Sequence, residues 1–178
     1  KIARTMDRRV YLFLILGLFG GITSMDARSK GAPGGAQHHK GSHGNPAEVR
    51  SYIDRMMDPA RDAWQEPDRV VAALGLNPGQ TVCDIGVGPG YFLPYLSAAV
   101  GHTGRVFAVD VDAELLRAAL ATIDKRALGN VTPVLALPER PMLPARSCDV
   151  IFVADTYHHF PDGPAYLGAL AQALVPGG

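Results

Sequence analysis

The 178-residue chain lacks an excess of either charge, since 17 Lys plus Arg face 17 Asp plus Glu. That balance removes the general electrostatic reason to expect a nucleic-acid partner, and none is expected. Cysteine is scarce, with two residues, too few for a disulfide-built scaffold. The 20 glycines and 14 prolines follow no three-residue period, which excludes a collagen-like rod. The apolar run Val10–Phe19, even stretched to Met25 with its three glycines, falls short of the roughly 20 residues of a bilayer-spanning helix. What is present is 47% apolar and 19% charged residues, a globular composition in a chain long enough for one domain with an appendage.

The neutral total hides an asymmetry. Residues 1–50 hold eight basic and three acidic residues, a net of +5, which leaves −5 for the rest. Arg8 and Arg9 precede the apolar run, and small residues Gly20-Gly21-Ile22-Thr23-Ser24 follow it. This is the layout of a secretory signal, so residues 1–27 are expected to be a signal peptide. No A-x-A site and no lipid-accepting cysteine occur there, so a retained membrane anchor, with membrane contact through residues 10–25, stays open. Either leader implies export, to the periplasm or to a membrane surface; a cytoplasmic location is not excluded. Residues 28–45, rich in Gly, Lys and His, form the expected flexible linker. Its His38, His39 and His43 lack a cysteine or carboxylate and a rigid shell, so no metal site is expected.

Residues 46–178 alternate helical and strand patterns. Helices are expected over Ala47–Met57, Pro67–Leu74, Tyr91–Val100, Ala113–Leu128 and Pro164–Leu174. Strands are expected over Thr81–Ile85, Arg105–Asp110, Val131–Leu135 and Asp149–Ala154. Alternation of this kind predicts an α/β fold, a doubly wound, Rossmann-like, mostly parallel sheet with helices on both faces. Val150-Ile151-Phe152-Val153 is apolar on both faces, as an inner strand must be. The turn Val175-Pro176-Gly177-Gly178 should feed one more strand, so the domain is read as incomplete at its C-terminus with its last strands missing.

Asp84-Ile85-Gly86-Val87-Gly88-Pro89-Gly90 closes the first domain strand and opens a helix, a place where backbone N–H groups approach a ligand. A dinucleotide site wants G-x-G-x-x-G, and Tyr91 stands where the third glycine belongs. Asp84 would repel a pyrophosphate and suits a cation. Asp110, 24 residues after Gly86, ends the next strand where an acid accepts hydrogen bonds from ribose hydroxyls. A positively charged nucleoside without phosphate fits both acids. Here the chain resembles the class I S-adenosylmethionine-dependent methyltransferases, over roughly Asp58–Gly178, through this loop, Asp110, the strand Asp149–Ala154 and Leu174-Val175-Pro176-Gly177-Gly178. The stretches Asp58–Pro67 and Asp155–His159 are similar to a bacterial subgroup that often carries export signals. The resemblance implies S-adenosyl-L-methionine as cofactor, with Asp84 near the methionine amino group, Gly86, Gly88 and Gly90 lining the methionine part and Asp110 holding the ribose. Where many members carry an adenine-binding acid this chain has Leu135-Ala136-Leu137-Pro138, so no adenine contact is assigned.

The fourth strand delivers Asp155, His158 and His159 to the ligand edge of the sheet, and these are the catalytic candidates, a histidine there being able to take a proton near neutral pH. Asp155-Thr156-Tyr157 lacks the prolines of D-P-P-Y amine and adenine methylases. That lowers this substrate class; the acceptor is expected to be a small molecule or another compound not identified by the sequence, and the oligomeric state is left open. Trp64 precedes the first domain strand as either a cofactor flap or a packing residue. Cys83 and Cys148, if their strand ends are level, stand about 13 Å apart, beyond the roughly 7 Å a disulfide allows, so two free thiols are expected. Two other functions remain: a NAD(P)-dependent oxidoreductase, opposed by Tyr91 and Asp84, and a non-catalytic exported nucleoside-binding module.

Overall fold

The computed structural model describes residues 10–13 and 46–178. Among the described residues, five strands form one parallel sheet: β1 (Val10–Phe13), β2 (Thr81–Ile85), β3 (Arg105–Asp110), β4 (Val131–Leu135) and β5 (Val150–Ala154), in spatial order β1-β5-β2-β3-β4. Helices α1 (Pro46–Met56), α2 (Asp62–Gln65), α3 (Pro67–Ala73), α4 (Leu93–Val100), α5 (Ala113–Arg126) and α6 (Gly163–Ala173) connect and cover it. The expected doubly wound α/β sheet is what the chain forms. The helix expected from Tyr91 begins two residues later, because the glycine turn runs through Gly90 and Pro94 then sits in the first turn of α4.

The period of two along each strand sorts the core into two layers. Val82, Val106, Ala108, Val150 and Phe152 face the layer built with Val71, Leu74, Leu93, Leu96 and Leu116 of the α3–α5 side. Cys83, Ile85, Phe107, Val109, Ile151 and Val153 face the other, closed by Tyr166, Leu170 and Ala173 of α6. Phe152 is fully buried and meets Phe92 edge to face at 5.0 Å. Burying such a side chain contributes about 1.5–3 kcal/mol. Polar clamps fix the ends. Asp112 caps α5 through the N–H groups of Glu114 and Leu115, and the Asn130 amide donates to the carbonyls of Ser97 (3.1 Å) and Gly101 (2.8 Å), tying the end of α4 to the start of β4.

Val10–Phe13 of the expected leader pairs in parallel with β5, Val10 opposite Ile151 and Phe13 opposite Ala154, so the backbone groups on that side of β5 are paired. The other leader residues, the linker and His38, His39 and His43 lie outside the described residues.

The expectation of free thiols is overturned. Cys83 and Cys148 form a disulfide with their Cα atoms 6.0 Å apart. The sequence argument placed Cys148 in line with its strand. In fact β5 starts only at Val150, and the chain before it turns through Arg146 at φ 55°. The Cys148 N–H donates to Ala173 O, on the α6 side of the sheet, which brings its side chain under Cys83. Denatured but unreduced protein should leave both cysteines unlabelled by iodoacetamide, with labelling of both after reduction, as read by intact mass; labelling without reduction would refute the bond.

Candidate functional site

Gly86 follows β2 at φ 74° and its N–H, like that of Val87, donates to Val109 O of β3. A Cβ there would lie 2.7 Å from Thr156 Cβ and closer still to its Cγ2 and Oγ1, so the turn after β5 can sit against the glycine loop only because position 86 has no side chain. Gly90, at φ 92°, performs the same service for α5: an added Cβ would stand 2.8 Å from Leu93 Cδ1 and 3.5 Å from Ala119 Cα. The Thr122 hydroxyl donates to Pro89 O at 2.9 Å and holds the loop from the α5 side.

Two carboxylates flank the loop. Asp84 shares the parity of Val82 and is 4% exposed; burial, then the Asp110 charge, push its carboxyl up to about 8. Asp110 is likewise buried. Its Oδ2 accepts the Gly88 N–H at 2.8 Å and its Oδ1 the Asp112 N–H at 2.9 Å. Burial raises its titration, and these N–H donors pull it back. Neither carboxylate is ion-paired among the described residues.

Asp84, Gly86 and Gly88 line a cavity with Asp155 and Thr156 from the end of β5. At about 70 Å³ it is well below the roughly 300 Å³ of an ordinary small-molecule pocket, so it takes only one end of a cofactor-sized ligand. Gly90 and Asp110 stand outside it. The far wall comes from the segment before β2: Tyr52 and Met56 of α1, then Arg61 and Gln65. Sequence reasoning did not single these four out, because the signal that carries Arg61 and Gln65, an arginine and a glutamine four apart between two prolines, is too short for a period. Tyr52 is half-buried and its hydroxyl is pushed up, by burial first and by the Asp110 and Asp155 charges next.

The three catalytic candidates part company. Asp155, at φ 53°, borders the cavity, but His158 and His159 are exposed on the 3-10 turn Tyr157–His159 and do not line it. Their ring centres lie 3.9 Å apart with the planes tilted by 43°. The left-handed Asp155 turns the backbone away as soon as the strand ends, and the straight continuation assumed from sequence does not occur. Trp64 is 58% exposed on α2, so it is not a packing residue between helix and sheet; the Arg61 guanidinium lies 5.2 Å from its ring. A larger groove of about 520 Å³ between α3 and α4, lined by Asp68, Val71 and Tyr95 among others, shares no residue with the carboxylate cavity.

These groups fit a cation that carries neighbouring hydroxyls. Asp84 is a buried acceptor with no ion pair among the described residues, Asp110 is an acceptor at the next strand tip, and glycines at 86, 88 and 90 leave part of the loop backbone between them without side chains. A diphosphate would have to lie against both acids.

Comparison with known proteins agrees with this chemistry. Residues 82–178 match the family model described as methyltransferase domain. The chain is 33% identical over 110 residues to nocamycin O-methyltransferase of Saccharothrix syringae, covering 62% of this chain and 39% of that protein. It is 30% identical over 105 residues to a ubiquinone/menaquinone biosynthesis C-methyltransferase of Ectopseudomonas mendocina, covering 58% and 41%. Against the crystal structure of a SAM dependent methyltransferase from Aquifex aeolicus the TM-score is 0.68 at 36% identity, over 71% of this chain and 67% of that one. The chain thus spans less than half the length of these two curated relatives.

Proposed function

Because the chain belongs to the methyltransferase domain family, we propose that it binds S-adenosylmethionine between β2 and β3 and transfers the methyl group to a small-molecule acceptor. The observation that carries this is the pair of buried carboxylates, Asp84 and Asp110, neither ion-paired among the described residues, on either side of a loop in which packing excludes a side chain at Gly86 and Gly90. Tyr91 in place of a third glycine speaks against the nicotinamide reading.

S-adenosylmethionine, when bound, supplies an electrophilic methyl carbon on a sulfonium. The residues then divide the work. Asp84 holds the ammonium of the amino-acid end and Asp110 the ribose hydroxyls, which converts transfer into a matter of alignment. Tyr52 and Met56 of α1 close the cavity and keep water out. Asp155 is the group at the cavity that can take a proton from the acceptor; the exposed histidines stand off it. A small acceptor is supported by the printed names of the relatives, which include an O-methyltransferase and a C-methyltransferase. Export of the domain draws support from the Cys83–Cys148 bond, since such bonds persist in oxidising compartments, whereas the pairing of Val10–Phe13 with β5 speaks for a segment 1–27 that stays with the domain.

Thermal shift tests the cofactor. S-adenosylhomocysteine at a hundredfold excess over its Kd should add about 2.7 kcal/mol of stability and a clear rise in Tm, with NAD giving none. Stabilisation by NAD alone would reverse the assignment.

A further inference from the structure

β5 takes one of its two neighbours from a segment far away in sequence. On one side Val82–Ile85 of β2 pairs with residues 150–153. On the other, Val10–Phe13 runs parallel to it, Val10 opposite Ile151 and Phe13 opposite Ala154. The lead-in to β5 has a different cover. The Cys148 N–H donates to Ala173 O and Cys148 O accepts the Val175 N–H, both at 2.9 Å. That contact ends before the strand begins, so among the described residues Val10–Phe13 alone pairs with β5 on the side away from β2. Ile151, Phe152 and Val153 are fully buried, and a bare edge on so apolar a strand invites pairing with other chains.

The segment that covers this edge has a second chemistry of its own. Val10–Phe13 opens the apolar run Val10–Phe19, and Arg8 and Arg9 stand directly before it. An apolar run headed by cations is drawn to an anionic bilayer surface. The run is too short to span the hydrocarbon core, so on a membrane it lies along the interface. Water is scarce there, and backbone N–H and C=O groups find their partners within the segment, as a helix. In the sheet the same backbone groups of Val10–Phe13 are extended and paired with β5. One set of donors and acceptors cannot serve both arrangements.

We propose that the outer edge of β5 is a dock that withholds the apolar leader from lipid. Val10–Phe13 is a strand of the sheet in the closed domain and part of an interfacial helix when the leader engages an anionic membrane. The two states exclude each other. Docking on β5 therefore weakens the hold of the chain on a bilayer, and the bilayer in turn draws the strand out of the sheet. The proposal stands on the strand pairing and the leader sequence, and it holds whether or not the domain binds S-adenosylmethionine.

The full chain carrying Phe13→Cys and Ala154→Cys tests the dock. Neighbouring strands lie about 4.8 Å apart, within the reach of a disulfide, so oxidation should join the two positions, as read by peptide mass mapping. Flotation with vesicles of phosphatidylglycerol and phosphatidylethanolamine then compares the bonded and reduced forms of one and the same chain. Bonding should lower vesicle binding by at least about tenfold, and reduction should restore it. The parent chain under the same reductant accounts for any effect on Cys83–Cys148. Vesicles of phosphatidylcholine alone should hold the reduced form about 30-fold less well, the share of Arg8 and Arg9. Hydrogen exchange on the parent chain decides even where the double variant does not fold: the amides of residues 150–154 should lose protection when anionic vesicles are added. Equal vesicle binding by the bonded and reduced forms would overturn the proposal. Unchanged protection of residues 150–154 in vesicle-bound protein would do the same, as would absence of binding to anionic vesicles. Failure of the two cysteines to bond in folded protein would remove the dock itself.

Discussion

Asp84→Asn should cut S-adenosylhomocysteine affinity by at least about 100-fold while making the ligand-free chain more resistant to heat. Both effects come from one carboxyl at the end of β2, buried and pushed up to about 8 by its surroundings and then by Asp110. Asparagine keeps the shape and loses the charge, so the ammonium has no counter-ion. In the ligand-free chain the same loss is a gain. The folded-state pKa lies above the ordinary aspartate value of 3.8, so the folded form holds a proton that the unfolded form gives up. That stability is fully present below pH 4 and is lost as pH rises through about 8. The variant keeps a neutral group throughout, and its Tm advantage should widen from pH 5 to pH 8. Over the same range the unsubstituted chain should bind its cationic ligand more tightly as pH rises, by up to about tenfold per unit, with the variant flat. Melting curves and calorimetry across this window measure both slopes. Unaltered affinity in Asp84→Asn would end the two-carboxylate account.

Gly86→Ala should lower stability by about 3 kcal/mol, from the cost of a side chain in the left-handed region and the collision it causes. Its φ is 74°, and the new methyl would be driven into Thr156, 2.7 Å from that Cβ. For a domain of this size the fall in Tm should be about 10 °C. Adding Thr156→Gly separates the two causes: it removes the collision and leaves the backbone strain, so the double variant should regain part of the lost Tm, less whatever the Thr156 bond to Ala154 O contributes. Melting of Gly86→Ala within a degree of the parent would show that β5 does not press on the glycine loop as described.

The sheet was legible because its strands are short apolar runs bounded by turns. Thr81–Ile85, Arg105–Asp110 and Val131–Leu135 have the bounds read from sequence. Asp84, Gly86, Gly88, Gly90 and Asp110 announce themselves by position, since the tips of neighbouring parallel strands share one edge. What failed was the assumption that chain continues straight beyond a strand. Arg146 and Asp155, both at positive φ without being glycine, turn the backbone at the two ends of β5. The first turn makes the cysteines meet, and the second sends His158 and His159 outward. Arginine does not signal such a turn, and aspartate tolerates one without requiring it. Tyr52, Arg61 and Gln65 escaped for another reason: they belong to a segment before the sheet, and only the folded chain lays it across the cavity.

Among the described residues the sheet contains no hairpin between its strands, and this has a consequence for how the chain folds. Every pairing among the five described strands is parallel, so no two of them meet without an intervening crossover; even β3 and β4 are separated by the whole of α5. Pairing of two of these strands through a tight turn is unavailable to it. During synthesis one side of β2 must wait for Val150–Ala154 to emerge, and β1, made first, has to wait for the same segment. Folding is thereby expected to be slow for the domain's size, with sticky strand edges open until late.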